Sequence, residues 1–254
     1  MTKLFTVFLS FVLMLPAAFV QADDPDTFQV ETISMKFKPG KNLEDVLSLR
    51  EKFADFANAG DIQFGSRILV PWAVSKAALP DDQDWDALWI GFSPNTGEYS
   101  KALGYYLDNG DSFNADFDAV RTNVATTLMG GHVVFRSEAG APEGVGATLF
   151  RTCQLKSKQT LNDAKTAMVS MSEKLKAGGS KGSTYFWVPG PGSPPSMEDS
   201  FLITRWFPSI EAWGESAMAY QDGDMSKVGA AVDRVMDCSA FRLYLNYPFY
   251  MRDR

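Results

Sequence analysis

Apolar positions along this chain recur at two spacings, and the same order of spacings appears twice. From Phe28 to Lys38, Ile33, Met35 and Phe37 alternate with Ser34 and Lys36, the period of a strand. Pro39-Gly40 turns the chain, and Asn42 is placed to cap a helix with Asp45 in its first turn. Val46, Leu49, Phe53 and Phe56 then share one helical face, and Ala59-Gly60 ends the helix. Ile62, Phe64, Ile68 and Val70 predict a second strand stopped by Pro71. After a polar loop, a third strand is expected near Ala87–Phe92. Pro94 opens a helix carrying Tyr99, Leu103 and Tyr106. Phe113, Phe117, Val120 and Val124 mark a further helix, which Gly130-Gly131 breaks before a short strand from His132 to Arg136.

The second half runs through the same elements. Leu149 to Lys156 reads as a strand, and Leu161, Ala164, Met168, Met171 and Leu175 form a helical stripe. Thr184 to Val188 and Phe201 to Trp206 are the next strands. Ile210, Trp213, Ala217 and Tyr220 mark one helix, Val228, Val232 and Val235 another, and Cys238 to Leu245 the last strand. Shifting residues 35–71 by 118 lays them ungapped over 153–189, so that Lys38 meets Lys156, Asp45 meets Asp163, and Val70-Pro71 meets Val188-Pro189. Farther on the offset is 114, with Pro94 on Pro208 and Tyr99 on Trp213. Solenoid repeats run at about 20–50 residues, so a repeat this long points to a tandem domain duplication. The expected organisation is a leader at 1–22, a first unit at 23–139, a Gly/Ala/Pro linker at Gly140 to Gly146, and a second unit at 147–254.

Strand-helix-strand-strand-helix-strand is the ferredoxin-like βαββαβ unit of the α+β class. Its helices cover one sheet face, and the other face must be buried elsewhere. Two such units in one chain can pack their antiparallel sheets face to face. In this the chain resembles the dimeric α+β barrel superfamily in its single-chain tandem form, over most of residues 28–245. Phe207-Pro208-Ser209-Ile210-Glu211-Ala212-Trp213, after a strand and opening a helix, is similar to a segment common there. Its counterpart Ser93-Pro94-Asn95-Thr96-Gly97-Glu98-Tyr99 keeps the proline and the aromatic. The superfamily includes antibiotic-biosynthesis-type monooxygenases, stress-responsive barrel proteins and haem-binding chlorite-dismutase-like enzymes. The resemblance brings no single activity with it.

The leader changes the expected compartment. Lys3 precedes an apolar run from Leu4 to Val20, and Val20-Gln21-Ala22 supplies small residues at the cleavage positions. Pro16 breaks the run, which is short against the roughly 20 residues of a membrane span. The expected product is periplasmic or secreted, with no membrane anchor once the leader is removed. Losing Lys3 takes the formal charge from −7 to −8. An acidic chain with scattered basic residues argues against a nucleic-acid partner. In an oxidising compartment Cys153 and Cys238, an even pair in the second half, are expected to form a disulfide.

Candidate chemistry is sparse. No catalytic motif stands out and no metal ligand set is present: two isolated cysteines do not make a zinc site. The only histidine, His132, is what the resemblance to haem-binding members offers as an iron ligand; otherwise no cofactor is expected. Its counterpart is left open, since one alignment sets His132 opposite Cys238 and another sets Asn123 there. Gly190-Pro191-Gly192-Ser193-Pro194-Pro195 reads as a stiff loop, either a lid or a plain connection. Arg67, Trp89, Tyr185, Trp187 and Arg205 fall on alternating strand positions. Pointing between the sheets, they would line an aromatic and cationic cavity for a small aromatic or anionic molecule. The competing readings are a cofactor-independent monooxygenase or isomerase, a haem protein using His132, and a filled core with arginines at its rim.

Overall fold

Both halves nucleate in the same way. Strand β1 (Thr27–Phe37) leads to a capping box in which Asn42 donates its backbone N–H to Asp45 Oδ2 at 2.9 Å. Strand β5 (Gly146–Leu155) leads to a second box, where the Thr160 backbone N–H donates to Asp163 Oδ2 at 2.8 Å. The two boxes keep the 118-residue offset between Asp45 and Asp163. Each satisfies helix-end donors that would otherwise lack a partner. Asn42→Ala and Thr160→Ala are each expected to cost about 1 kcal/mol, read from urea melts. Equal losses below about 0.3 kcal/mol would show the boxes to be ornamental.

The computed structural model describes residues 26–74, 84–139, 144–222 and 226–252. The leader at 1–22 and most of the linker lie outside the described residues. In the first half, helices α1 (Leu43–Leu47) and α2 (Arg50–Ala59) precede β2 (Gly65–Ala73) and β3 (Ala87–Ser93). Helices α3 (Thr96–Asn109) and α4 (Asp111–Val120) precede β4 (Arg121–Phe135). In the second, α5 (Leu161–Ala177), β6 (Ser183–Pro189), β7 (Ser200–Phe207), α6 (Ile210–Asp222), α7 (Ser226–Val235), β8 (Met236–Cys238) and β9 (Arg242–Met251) follow β5. A single 3-10 turn, Pro195–Met197, interrupts the β6–β7 connection. No described helix is long and apolar enough to cross a membrane.

All nine strands join one antiparallel sheet in the order β7-β6-β4-β1-β3-β2-β9-β5-β8, and a β5–β7 pairing closes eight of them into a barrel. Each half contributes four barrel strands in the order fourth-first-third-second: β4-β1-β3-β2 and β9-β5-β7-β6. The halves meet at two hydrogen-bonded seams, β4 with β6 and β2 with β9. The sheets therefore face each other across a shared interior, while the helices cover the outside. Each half has its own helix-to-sheet core. One is built around Phe53, Phe113, Phe117 and Trp89, the other around Met168, Leu175, Phe186 and Ile203. A third core fills the barrel with Val30, Ile90, Phe150, Trp187, Trp206 and Tyr244.

Four boundaries differ from the sequence expectations. β2 runs through Pro71 instead of stopping there. Its pairing with β3 ends at Leu69, so beyond that point only β9 is a ladder partner and the ring is tolerated at a register shift. The helix marked by Phe113 ends at Val120, and Val124 belongs to β4, which begins with Arg121 in extended conformation at φ −142. Gly130-Gly131 lies inside that strand. A Cβ at Gly131 would sit 2.3 Å from the Phe28 ring, so the glycine admits the ring instead of breaking the element. The last strand divides into β8 and β9 around Ser239-Ala240-Phe241.

The registers also settle the counterpart of Cys238. Met35 pairs with Asn123, and Cys153 pairs with Cys238, so Asn123 and not His132 is equivalent to Cys238. Both strand pairs carry one extra residue at the same place, beside Val124 in one half and beside Ser239 in the other.

Candidate functional site

The five residues proposed for an inter-sheet cavity divide between two faces. Arg67, Tyr185 and Trp187 point into the barrel. Arg67 Nε donates to Asn246 Oδ1 at 2.7 Å, and Asn246 Nδ2 donates to Thr148 Oγ1 at 2.9 Å, which ties β2, β9 and β5 together across the interior. Burial lowers the Arg67 pKa to about 10, with Arg50 adding repulsion. Tyr185 meets Phe28 edge-on at 5.7 Å. Trp187, 1% exposed, packs against Phe150 at 5.2 Å, Trp206 at 6.1 Å and Phe92 at 6.2 Å. Its indole N–H has no hydrogen-bond partner.

Trp89 and Arg205 lie on the outer, helix-covered face, and this corrects the single-cavity expectation. The cause is the pleat. Ile90 and Leu88 take the inner positions of β3, while Trp89 faces α2 and α4, 5.2 Å from the Phe53 ring. On β7 the inner positions belong to Leu202 and Trp206, and Arg205 sits beneath α6.

Sequence reasoning missed a group on the same outer face as Trp89. Glu31 pairs with Gly91 on β3, and a Cβ at Gly91 would lie 2.3 Å from the Phe64 ring and 3.3 Å from Glu31 Oε2. The glycine thus makes room for both the ring and the carboxylate. Tyr99 on α3 donates its hydroxyl to Glu31 Oε1 at 2.8 Å. Burial pushes the Glu31 pKa above its ordinary value, and the Tyr99 hydrogen bond and the more distant Arg121 charge pull the other way without cancelling it. The Tyr99 phenol is held well above its usual range by burial and by the neighbouring carboxylate. Arg121, its pKa lowered to about 10 by burial, lies 4.6 Å over the Phe117 ring and hydrogen-bonds Asn123. Tyr106 donates to Asn114 nearby. A partly exposed carboxylate that keeps its proton more readily than usual, among aromatic rings, is suited to proton transfer.

An open cleft of about 390 Å³ lies between the end of α2 and α3, lined by Gly60, Asp61, Ile62, Gln63, Glu98, Lys101 and Ala102, with neither Glu31 nor Tyr99 in its wall. Glu98 and Ala102 flank Tyr99 along α3, and Gln63 precedes Phe64. The one signal in the sequence was the triple coincidence of an acid in β1, a glycine opposite it and a tyrosine in the helix above.

His132 pairs across the seam with Phe186, so it shares the outer face with a ring that is 0% exposed beneath α5. Val134, two residues on, is buried in the same cluster. No group of three or more His, Cys, Asp or Glu side chains able to hold a metal ion occurs among the described residues. Cys153 and Cys238 are joined by a disulfide. The Gly190–Pro195 loop straps the middle of β4: Leu128 N–H donates to Pro191 O at 2.8 Å and Thr127 Oγ1 to Gly192 O at 3.1 Å.

No family model matches this sequence. No curated protein matches it either. Among solved structures, an anthrone oxidase-like protein aligns with a TM-score of 0.51 at 11% identity, over 91% of this chain and 94% of that one. A protein assigned as a monooxygenase from Lactobacillus acidophilus NCFM aligns with a TM-score of 0.51 at 9% identity, over 89% and 95%. One assigned as a chlorite dismutase reaches 0.49 at 9% identity, over 87% and 94%. At these identities the likeness is one of fold, and the fold is the dimeric α+β barrel, here closed within a single chain.

Proposed function

We propose that this is an exported, internally duplicated α+β barrel protein that acts on a small planar aromatic molecule, as a cofactor-independent oxygenase or isomerase. The observation that carries the proposal is the half-buried Glu31 carboxylate, hydrogen-bonded to Tyr99 and set with the Phe64 ring over Gly91. Glu31 is the base. It takes a proton from an activated C–H of the substrate, breaking C–H and forming O–H, while Tyr99 orients the carboxylate. In the oxygenase reading the resulting carbanion passes its electrons to dioxygen. For a ring CH2 the overall change is CH2 plus O2 giving C=O plus water. In the isomerase reading the proton returns to a different carbon. That two fold neighbours are an anthrone oxidase-like protein and a protein assigned as a monooxygenase makes anthrone the first substrate to try.

A second reading has its own support. The unpartnered indole N–H of Trp187 would serve an acceptor on a small aromatic or anionic molecule inside the barrel, the ligand class expected from the sequence.

The test is oxygen uptake with anthrone by the wild type and by Glu31→Gln. Loss of about 10²–10⁴-fold in the variant is expected. A wild-type rate no higher than that of buffer, or an unaffected variant, defeats the proposal. A stability measurement separates a working carboxylate from a structural one. Because the folded-state pKa of Glu31 is raised above 4.5, its contribution to stability is fully present below that value and is lost as pH rises through the folded-state pKa. Glu31→Gln should therefore melt close to wild type under acid conditions and increasingly above it toward pH 8. A variant melting below wild type at pH 8 would assign Glu31 a structural role.

A further inference from the structure

In the second half of the barrel a buried cation has no counter-ion among the described residues. Arg205 is 5% exposed. Its guanidinium touches only hydroxyls and a ring: Nη2 donates to Ser180 Oγ and to Ser216 Oγ, each at 3.3 Å, and the Phe207 ring centroid lies 5.1 Å away. Nε is buried without any partner. Burial alone accounts for the depressed basicity, with no acid contributing. The other deeply set outer-face arginines differ, since Arg121 feels Asp118 and Glu31, and Arg151 feels Asp233.

Removing a charge from water costs several kcal/mol unless an opposite charge and hydrogen bonds compensate. Two long hydrogen bonds to uncharged hydroxyls do not, so the arrangement is complete only with an anion. The rest of the surroundings is donor-rich. Ser180 Oγ donates to Ser216 Oγ at 2.8 Å, and Ser172 and Thr184 pair their hydroxyls at 3.2 Å on the same face. Thr184 sits directly across from Arg205 in the ladder. Outside the buried Ser180–Ser216 pair, the next residue on one side and the preceding residue on the other form an ion pair, Lys181 Nζ to Glu215 at 3.0 Å. That pair engages the Glu215 carboxylate with Lys181 and joins the segment before β6 to α6.

We propose that Arg205, Ser180 and Ser216 bind a small oxyanion of carboxylate size between β7 and α6. The free Nε edge of the guanidinium supplies the charged hydrogen bond and the two serine hydroxyls rotate to donate. The Phe207 ring on one side and α6 above limit the ligand to a few atoms. This site is on the opposite half of the barrel from Glu31 and does not depend on the proposed oxygenase or isomerase chemistry.

The test is a thermal-melt titration of the full chain with sodium formate, ionic strength held constant with a bulky sulfonate. A saturable rise in melting temperature is expected for the wild type. In Arg205→Leu the rise is lost. In Ser216→Ala, which keeps the charge, half-saturation moves to about tenfold higher formate. No saturable rise in the wild type overturns the proposal, as does an unchanged rise in Arg205→Leu. Should Arg205→Leu fail to fold, an unshifted midpoint in Ser216→Ala overturns it equally.

Discussion

Trp187→Ala is expected to destabilise the protein by about 3–5 kcal/mol in urea unfolding, the range for truncating a fully buried tryptophan. Trp187 comes from the second half, yet its ring meets Phe92 of the first half as well as Phe150 and Trp206 of its own. It therefore packs the centre of the barrel, where the open faces of the two sheets are buried against each other. The surrounding positions are strand residues held by two ladders each, so collapse around a vacated indole is restricted and most of the cavity penalty should remain. Trp187→Phe separates packing from hydrogen bonding. The indole N–H has no acceptor in the barrel, so its removal should cost little beyond the change in volume. Indole added to the alanine variant is expected to restore part of the loss by filling the cavity. A cost below about 1 kcal/mol would mean that the interior is not filled around Trp187, and would strengthen the reading of the barrel as a ligand cavity.

The residues show why some of this was legible and some was not. Element order, the first helix cap and the 118-residue offset follow from local rules: alternation in β1, the Asn42 cap, and the stripes of α2 and α5. The faces did not follow. Alternation separates Trp89 from Ile90 and Arg205 from Trp206, but in a barrel wrapped by helices both faces are buried, so periodicity cannot say which is inner. β4 was hidden because Val124 continues the helical spacing of Phe113, Phe117 and Val120, whereas the bulge beside it is a feature of strand pairing. The same bulge left the partner of Cys238 undecided. Glu31 was missed because a single acid in a strand ordinarily marks the solvent side. Its burial depends on Gly91 and Tyr99, which are distant in sequence and meet it only in the folded sheet.

Reducing the Cys153–Cys238 disulfide is expected to cost about 4.5 kcal/mol, the chain-entropy value for a sequence separation of 85. The first half manages without a bridge, because Met35 and Asn123 occupy the equivalent pair and β4 runs unbroken for 15 residues beside β1. In the second half the corresponding strand is interrupted. β8 has three residues, pairs only with β5, and is separated from β9 by Ser239-Ala240-Phe241. Ser239 partly repairs the gap: its N–H donates to Thr152 O at 2.8 Å, and its hydroxyl accepts from Thr152 N–H at 3.0 Å. The disulfide fixes the remaining edge and with it the end of α7, whose Val232 packs in the same core as Cys153. Hydrogen exchange should consequently show β8 and the end of α7 losing protection in the reduced protein, while β4 and α4 stay protected. Cys153→Ala/Cys238→Ala should lose somewhat more than the reduced wild type, because Cys153 is 1% exposed and its truncation also opens a small cavity. A loss below about 1 kcal/mol on reduction would mean that main-chain pairing alone secures the β8 edge, and that the bridge does not compensate for the interrupted strand.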